Sequence, residues 1–128
     1  MSIGTDTRPP NRSELLGRDY WLIWSTPTKS TTAQDIEATL DEHLRWLLGL
    51  EADGIILLSG PLLSGPDVGP GSGVTVLRAN SEQHARAIAE NDPFVTAGLR
   101  SIQVLKWRVN EGSIGIRLSL GTGGYSWD

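Results

Sequence analysis

Five large apolar side chains in succession, Tyr20-Trp21-Leu22-Ile23-Trp24, constrain this chain more than any other stretch. A strand sends alternate side chains to opposite faces, so this run, closed by Pro27, makes a strand that is apolar on both. Ile55-Ile56-Leu57-Leu58, ended by Ser59-Gly60-Pro61, reads the same way. Each face of a sheet built from such strands needs cover.

Two segments can provide it as helices. Thr31 or Thr32 is placed to cap the first, with Asp35 where a carboxylate meets free backbone N–H groups. Ile36, Leu40, His43, Leu44, Leu47 and Leu48 recur at spacings of three and four and draw one stripe along it. Gly54 supplies the positive-φ residue that turns the chain out of the helix. The second helix, Glu82 to Glu90, is capped by Ser81 and carries the narrow stripe Ala85, Ile88, Ala89. Between them the Gly- and Pro-rich stretch Leu62 to Gly73 reads as the long tip of an antiparallel hairpin leading into a third strand, Gly73 to Ala79.

After the turn Asn91 to Gly98, the segment Leu99 to Val109 reads as a fourth strand. Ile114, Ile116, Leu118 and Leu120 then alternate with small or polar residues, which predicts a strand buried on one side, and Gly121 to Asp128 reads as a flexible tail. The order β-α-β-β-α-β plus a terminal strand predicts an α+β fold, the ferredoxin-like sandwich. Residues 1–18 read as a flexible N-terminal arm, 19–111 as the domain, and 112–128 as the C-terminal strand and Gly-rich tail. Two helices cover only one face of four strands. The other face predicts a homodimer with the two sheets face to face, the C-terminal strand being a candidate to cross to the partner.

The charge balance excludes several classes. Eleven Lys plus Arg against fifteen Asp plus Glu give a net charge of −4, with the basic residues scattered, so a nucleic-acid partner is not expected. No apolar run approaches the length needed to cross a membrane, and no secretory signal is visible at the N-terminus. With no cysteine and two histidines, His43 and His84, no metal site is expected, and a cytoplasmic setting fits best.

His43 on the first helix, Gly54 leading into a strand that ends Ser59-Gly60-Pro61, and Asp92-Pro93-Phe94 with Ala97-Gly98-Leu99 before a strand bearing Trp107 together resemble the YciI-like (YCII-related) family over roughly residues 19 to 110. The resemblance implies a dimeric α+β barrel and a catalytic His–Asp pair, here His43 and Asp92. It also implies lyase- or hydrolase-type chemistry without a cofactor on a small organic metabolite, as in dehydrochlorination of aromatic-ring breakdown products. The chemistry is sound on its own terms. A carboxylate bonded to one imidazole nitrogen fixes the tautomer and raises the basicity of the other. Ser59 and the backbone of Gly60 are candidate substrate contacts, as are Trp24 and Trp107, aromatics suited to a flat organic ligand.

Structural readings stand beside each of these. His43 also reads as a core residue, Asp92 before Pro93 as the cap of a helical turn, His84 as a surface residue, and Trp21, Trp24, Trp46 and Trp107 as core. A non-catalytic dimeric binding module is the rival function, and it predicts a His43 with both ring nitrogens satisfied by protein groups. Haem ligation by His43 is a third reading, decided by colour.

Overall fold

The computed structural model describes residues 8, 9 and 11–128; the rest of the expected arm, residues 1–7 and 10, lies outside them. The chain divides into two compact units, residues 19–108 and the described part of 1–18 together with 109–128.

The larger unit is built from β1 (Arg18–Pro27), α1 (Ala33–Ala52), β2 (Ile56–Pro61), β3 (Gly73–Leu77), α2 (Glu82–Glu90), the single-turn α3 (Pro93–Thr96) and β4 (Arg100–Val109). The strands form one sheet in the order β2-β3-β1-β4, with β3 antiparallel to both β1 and β2. This is the ferredoxin-like arrangement, an α+β fold.

Register decides which residues meet the helices. Trp21 pairs with Leu77 and Ile23 with Thr75, so these share one face, whereas Leu22 pairs with Val76 and Trp24 with Val74 on the other. A bulge between Ile56 and Leu58 sends those two residues to opposite faces. On the helix side Ile23, Leu77 and Ala89 form the buried core, against which Trp21, Ile55, Ile56, Ile88, Ile102 and Val104 pack. Each such large side chain removed from water stabilises the fold by about 1.5–3 kcal/mol. The opposite face carries Trp24, Leu58, Leu105 and Trp107, between 38% and 51% exposed.

The caps follow the local chemistry. The Thr32 hydroxyl accepts from Asp35 N at 3.1 Å and Asp35 Oδ2 accepts from Thr32 N at 2.9 Å, a reciprocal box that starts α1. The Thr32 backbone N–H foremost, and the Thr32 hydroxyl after it, hold the Asp35 carboxyl below its ordinary range. Gly54 has φ +72° just past the helix end, as expected. Leu44 and Leu48 are exposed, so the stripe on α1 is wider than the sheet beneath it covers.

In the smaller unit, Arg12–Glu14 form a 3-10 turn, and β5 (Ile116–Ser119) pairs antiparallel with β6 (Gly124–Trp127). The expected flexible tail is therefore a strand: Gly123, at φ +69°, closes the turn, and the pairs Ile116–Trp127 and Leu118–Tyr125 align aromatic against aliphatic side chains. The one-sided burial expected of the alternating segment does not hold within the chain, since Leu118 is 71% and Leu120 95% exposed. Among the described residues no helix is long and apolar enough to cross a membrane.

Candidate active site

His43 is the only residue of α1 that is buried, 8% exposed, and it lies about three turns into the helix on the face toward α3. Across from it, Asp92 closes the turn after α2 and caps α3, with Pro93 in the first helical position where its missing N–H costs nothing. Gly98, at φ +74°, ends that turn so that β4 can begin at Arg100. Two hydroxyls of the β1–α1 connection hold the turn in place: Thr28 Oγ1 donates to the Gly98 carbonyl at 3.0 Å and Thr31 Oγ1 to the Leu99 carbonyl at 2.6 Å. The start of β4 is thereby tied to the segment leading into α1.

Three donors converge on the Asp92 carboxylate. Oδ1 accepts from the Phe94 backbone N–H at 2.9 Å and lies 2.7 Å from His43 Nδ1, and Oδ2 accepts from Arg100 Nη1 at 3.1 Å. The side chains of His43, Asp92 and Arg100 are only 10%, 5% and 8% exposed. A carboxylate held by Arg100 can only accept, so His43 Nδ1 is the donor, and in the neutral imidazole the lone pair is then on Nε2. Nε2 makes no hydrogen bond to any described residue. Burial pushes the Arg100 guanidinium below its ordinary value and Asp92 opposes the shift. The Phe94 ring, 2% exposed, stacks on the imidazole with centroids 4.1 Å apart and has the Arg100 guanidinium over it at 4.6 Å. Trp46 stands 6.0 Å from His43 on the same helix.

The remaining predicted contacts are not gathered here. Trp24 and Trp107 project from the opposite face of the sheet, because their parity in β1 and β4 is the reverse of Ile23 and of Ile102 and Val104. Neither lines a pocket with His43 in the same protomer. Ser59 bonds through its hydroxyl to Thr75 Oγ1 at 2.8 Å on the exposed strand β2, and the Gly60 carbonyl oxygen lies 3.2 Å from where a Cβ on Gly73 would stand. Among the described residues no three His, Asp or Glu side chains cluster as metal ligands.

Sequence reasoning missed Arg100 and Ser25. Both carried a signal: each is a polar residue at a parity that its own strand reserves for the core, Arg100 with Ile102 and Val104, Ser25 with Trp21 and Ile23. Ser25 is 3% exposed and its hydroxyl has no hydrogen-bond partner among the described residues.

The fold and site together define a small α+β protein with a buried imidazole–carboxylate–guanidinium array between a helix and its sheet. The chain belongs to the YCII-related domain family, which it matches over residues 20–108. Among solved structures it is similar to 5-chloro-2-hydroxyhydroquinone dehydrochlorinase (TftG) of Burkholderia phenoliruptrix AC1100, in complex with 2,5-dihydroxybenzoquinone. The two are 25% identical with a TM-score of 0.56, over 73% of this chain and 95% of that one. No curated protein matches the chain significantly.

Proposed function

We propose that this protein is a small cofactor-independent enzyme of lyase or hydrolase type acting on an aromatic or cyclic metabolite, with His43 as general base and acid and Asp92 as the residue that orients it. One observation carries the reading: Nδ1 of His43 is held by Asp92 at 2.7 Å while Nε2 is left without a protein partner. A structural histidine would use both nitrogens. The likeness to a dehydrochlorinase that binds a quinone supports a flat, oxygenated ring as substrate. Homodimerisation through the face bearing Trp24, Leu58, Leu105 and Trp107 belongs to the same proposal, because a patch of that character is where a second copy removes most apolar surface from water. Trp24 and Trp107 then serve the interface.

In the mechanism, Asp92 keeps the imidazole in the Nδ1–H tautomer, and Nε2 takes a proton from substrate and returns it to the product or leaving group. The test is turnover of a panel of hydroxylated and halogenated quinols by the wild type and by His43→Gln. A loss of about 10²–10⁴-fold is expected with the fold intact. Equal rates in the two proteins would remove His43 from the chemistry, and binding without turnover across the panel would favour the binding module.

A further inference from the structure

The family match ends at residue 108, and the chain beyond it builds a hairpin with two unlike faces. Register puts Ile116, Leu118, Tyr125 and Trp127 on one face and Arg117, Ser119 and Ser126 on the other. The four apolar residues are 59–71% exposed, and Ile114 and Leu120, on either side of β5, are exposed as well. A two-stranded hairpin is only marginally stable in water until such a face is covered. Here the face presents on the order of 600–900 Å², above the few hundred Å² that monomeric proteins leave open and close to the roughly 800 Å² that each partner buries in a stable interface.

The chemistry of the hairpin selects its cover. Residues 110–128 hold one basic residue, Arg117, against Glu111 and Asp128, so they offer an anionic membrane surface no electrostatic attraction. The apolar face is self-complementary instead. Its β5 row is aliphatic, Ile116 and Leu118, and its β6 row is aromatic, Tyr125 and Trp127. A second copy rotated by half a turn about an axis parallel to the strands lays its aliphatic row on the aromatic row of the first, and its aromatic row on the aliphatic one. Large side chains then face medium ones throughout, and the layer between the hairpins keeps the even thickness of about 10 Å that packed sheets adopt. Stacking like on like would leave it thick along one row and thin along the other.

We infer that the β5–β6 hairpins of two copies pack face to face in this way and make a second contact within the homodimer. This rests on the dimer proposed above, which brings the two hairpins together. The connection from β4 to β5, residues 110–115, spans at most about 20 Å, so once the domains pair each hairpin meets the other at an effective concentration on the order of millimolar. The contact tightens a dimer that the larger sheet face holds.

The experiment mixes ¹³C-labelled and unlabelled full-length chains, and an isotope-filtered NOE spectrum of the mixture detects only contacts between copies. Cross-peaks from the Ile116 and Leu118 methyl groups to the Tyr125 and Trp127 rings are expected. In sedimentation equilibrium Trp127→Ser should weaken the dimer about 30-fold or more, the effect of losing one aromatic anchor, while Arg117→Ser on the opposite face leaves it unchanged. A dimer that Trp24→Glu dissociates, with no such cross-peaks and an unchanged dissociation constant in Trp127→Ser, overturns the inference and leaves the sheet-face contact standing. Cross-peaks in a dimer that survives Trp24→Glu but dissociates in Trp127→Ser uphold the hairpin contact and overturn the sheet-face one. A monomeric wild type overturns both. Co-sedimentation with phosphatidylcholine vesicles that Trp127→Ser abolishes makes a lipid surface the occupant and overturns the inference as well.

Discussion

Asp92→Asn keeps the shape of the side chain and deletes its charge, so it isolates what the carboxylate does for the fold. Asp92 meets three donors, the Phe94 N–H, His43 Nδ1 and Arg100 Nη1. An amide has one acceptor oxygen. If that oxygen stays with Phe94 and His43, the NH₂ group faces the Arg100 guanidinium donor to donor; if it turns, the NH₂ group faces the other two. Either way Arg100, its side chain 8% exposed, loses its counter-ion without gaining water. Breaking a buried pair by removing one partner costs about 3–5 kcal/mol. Because the cap bond survives in the first arrangement, the lower end applies, and about 3 kcal/mol is a large share of a stability of about 5–15 kcal/mol. Urea unfolding at one fixed protein concentration reads this as a lower midpoint with unchanged slope. The double variant Asp92→Asn/Arg100→Met, which removes both charges, should recover part of the loss. A single-variant cost below about 1 kcal/mol, or losses that simply add in the double variant, would refute the argument.

Other outcomes follow from the same structure. Thr32→Ala removes one half of the box that starts α1 and should cost about 1 kcal/mol near neutral pH by urea unfolding. Because the folded state holds the Asp35 carboxyl below its ordinary range, the carboxylate's own contribution is present above the unfolded carboxylate pKa and fades as pH falls through the folded one, so wild type and an Asp35→Asn variant should converge in strong acid. Gly71→Ala places a Cβ 2.8 Å from Ile36 Cδ1 at φ +94° and should destabilise more than Gly98→Ala, where φ is +74° but the space is open and the cost is the backbone's alone, about 1–2 kcal/mol. Trp24→Glu on the sheet face opposite the helices should convert a dimer to monomer in sedimentation velocity without altering the far-UV circular dichroism; an unchanged sedimentation coefficient in a dimeric wild type would place the interface elsewhere.

The topology was legible because its signals are periodic. Two-faced apolar runs, a helix stripe at spacings of three and four, and a Gly-Pro loop between strands leave few ways to order four strands and two helices. The C-terminal hairpin was not, since Gly121 to Gly124 reads as punctuation and the partners of Tyr125 and Trp127 are set by pairing across a turn, a relation that no window of neighbouring residues contains. At the site, the imidazole and its carboxylate were found as a pair. The cap and the pairing with His43 do not exclude each other, because Asp92 Oδ1 meets both the Phe94 N–H and His43 Nδ1. Arg100 and Ser25 escaped because each is a single polar residue in an apolar strand, visible only once the parity of that strand is known. Trp24 and Trp107 were misdirected for the converse reason: a strand that is apolar on both faces does not say which of its aromatics face the helices.

The shared oxygen makes the Phe94 amide an internal gauge. That hydrogen is held by the same atom that aligns the imidazole, in a helix of four residues with little stability of its own. Its exchange with solvent deuterium therefore reports the free energy of opening the His43–Asp92 pairing, separately from unfolding of the sheet below. A population in which this one amide exchanges fast is a population whose His43 imidazole has lost its alignment by Asp92, however native the rest of the molecule remains.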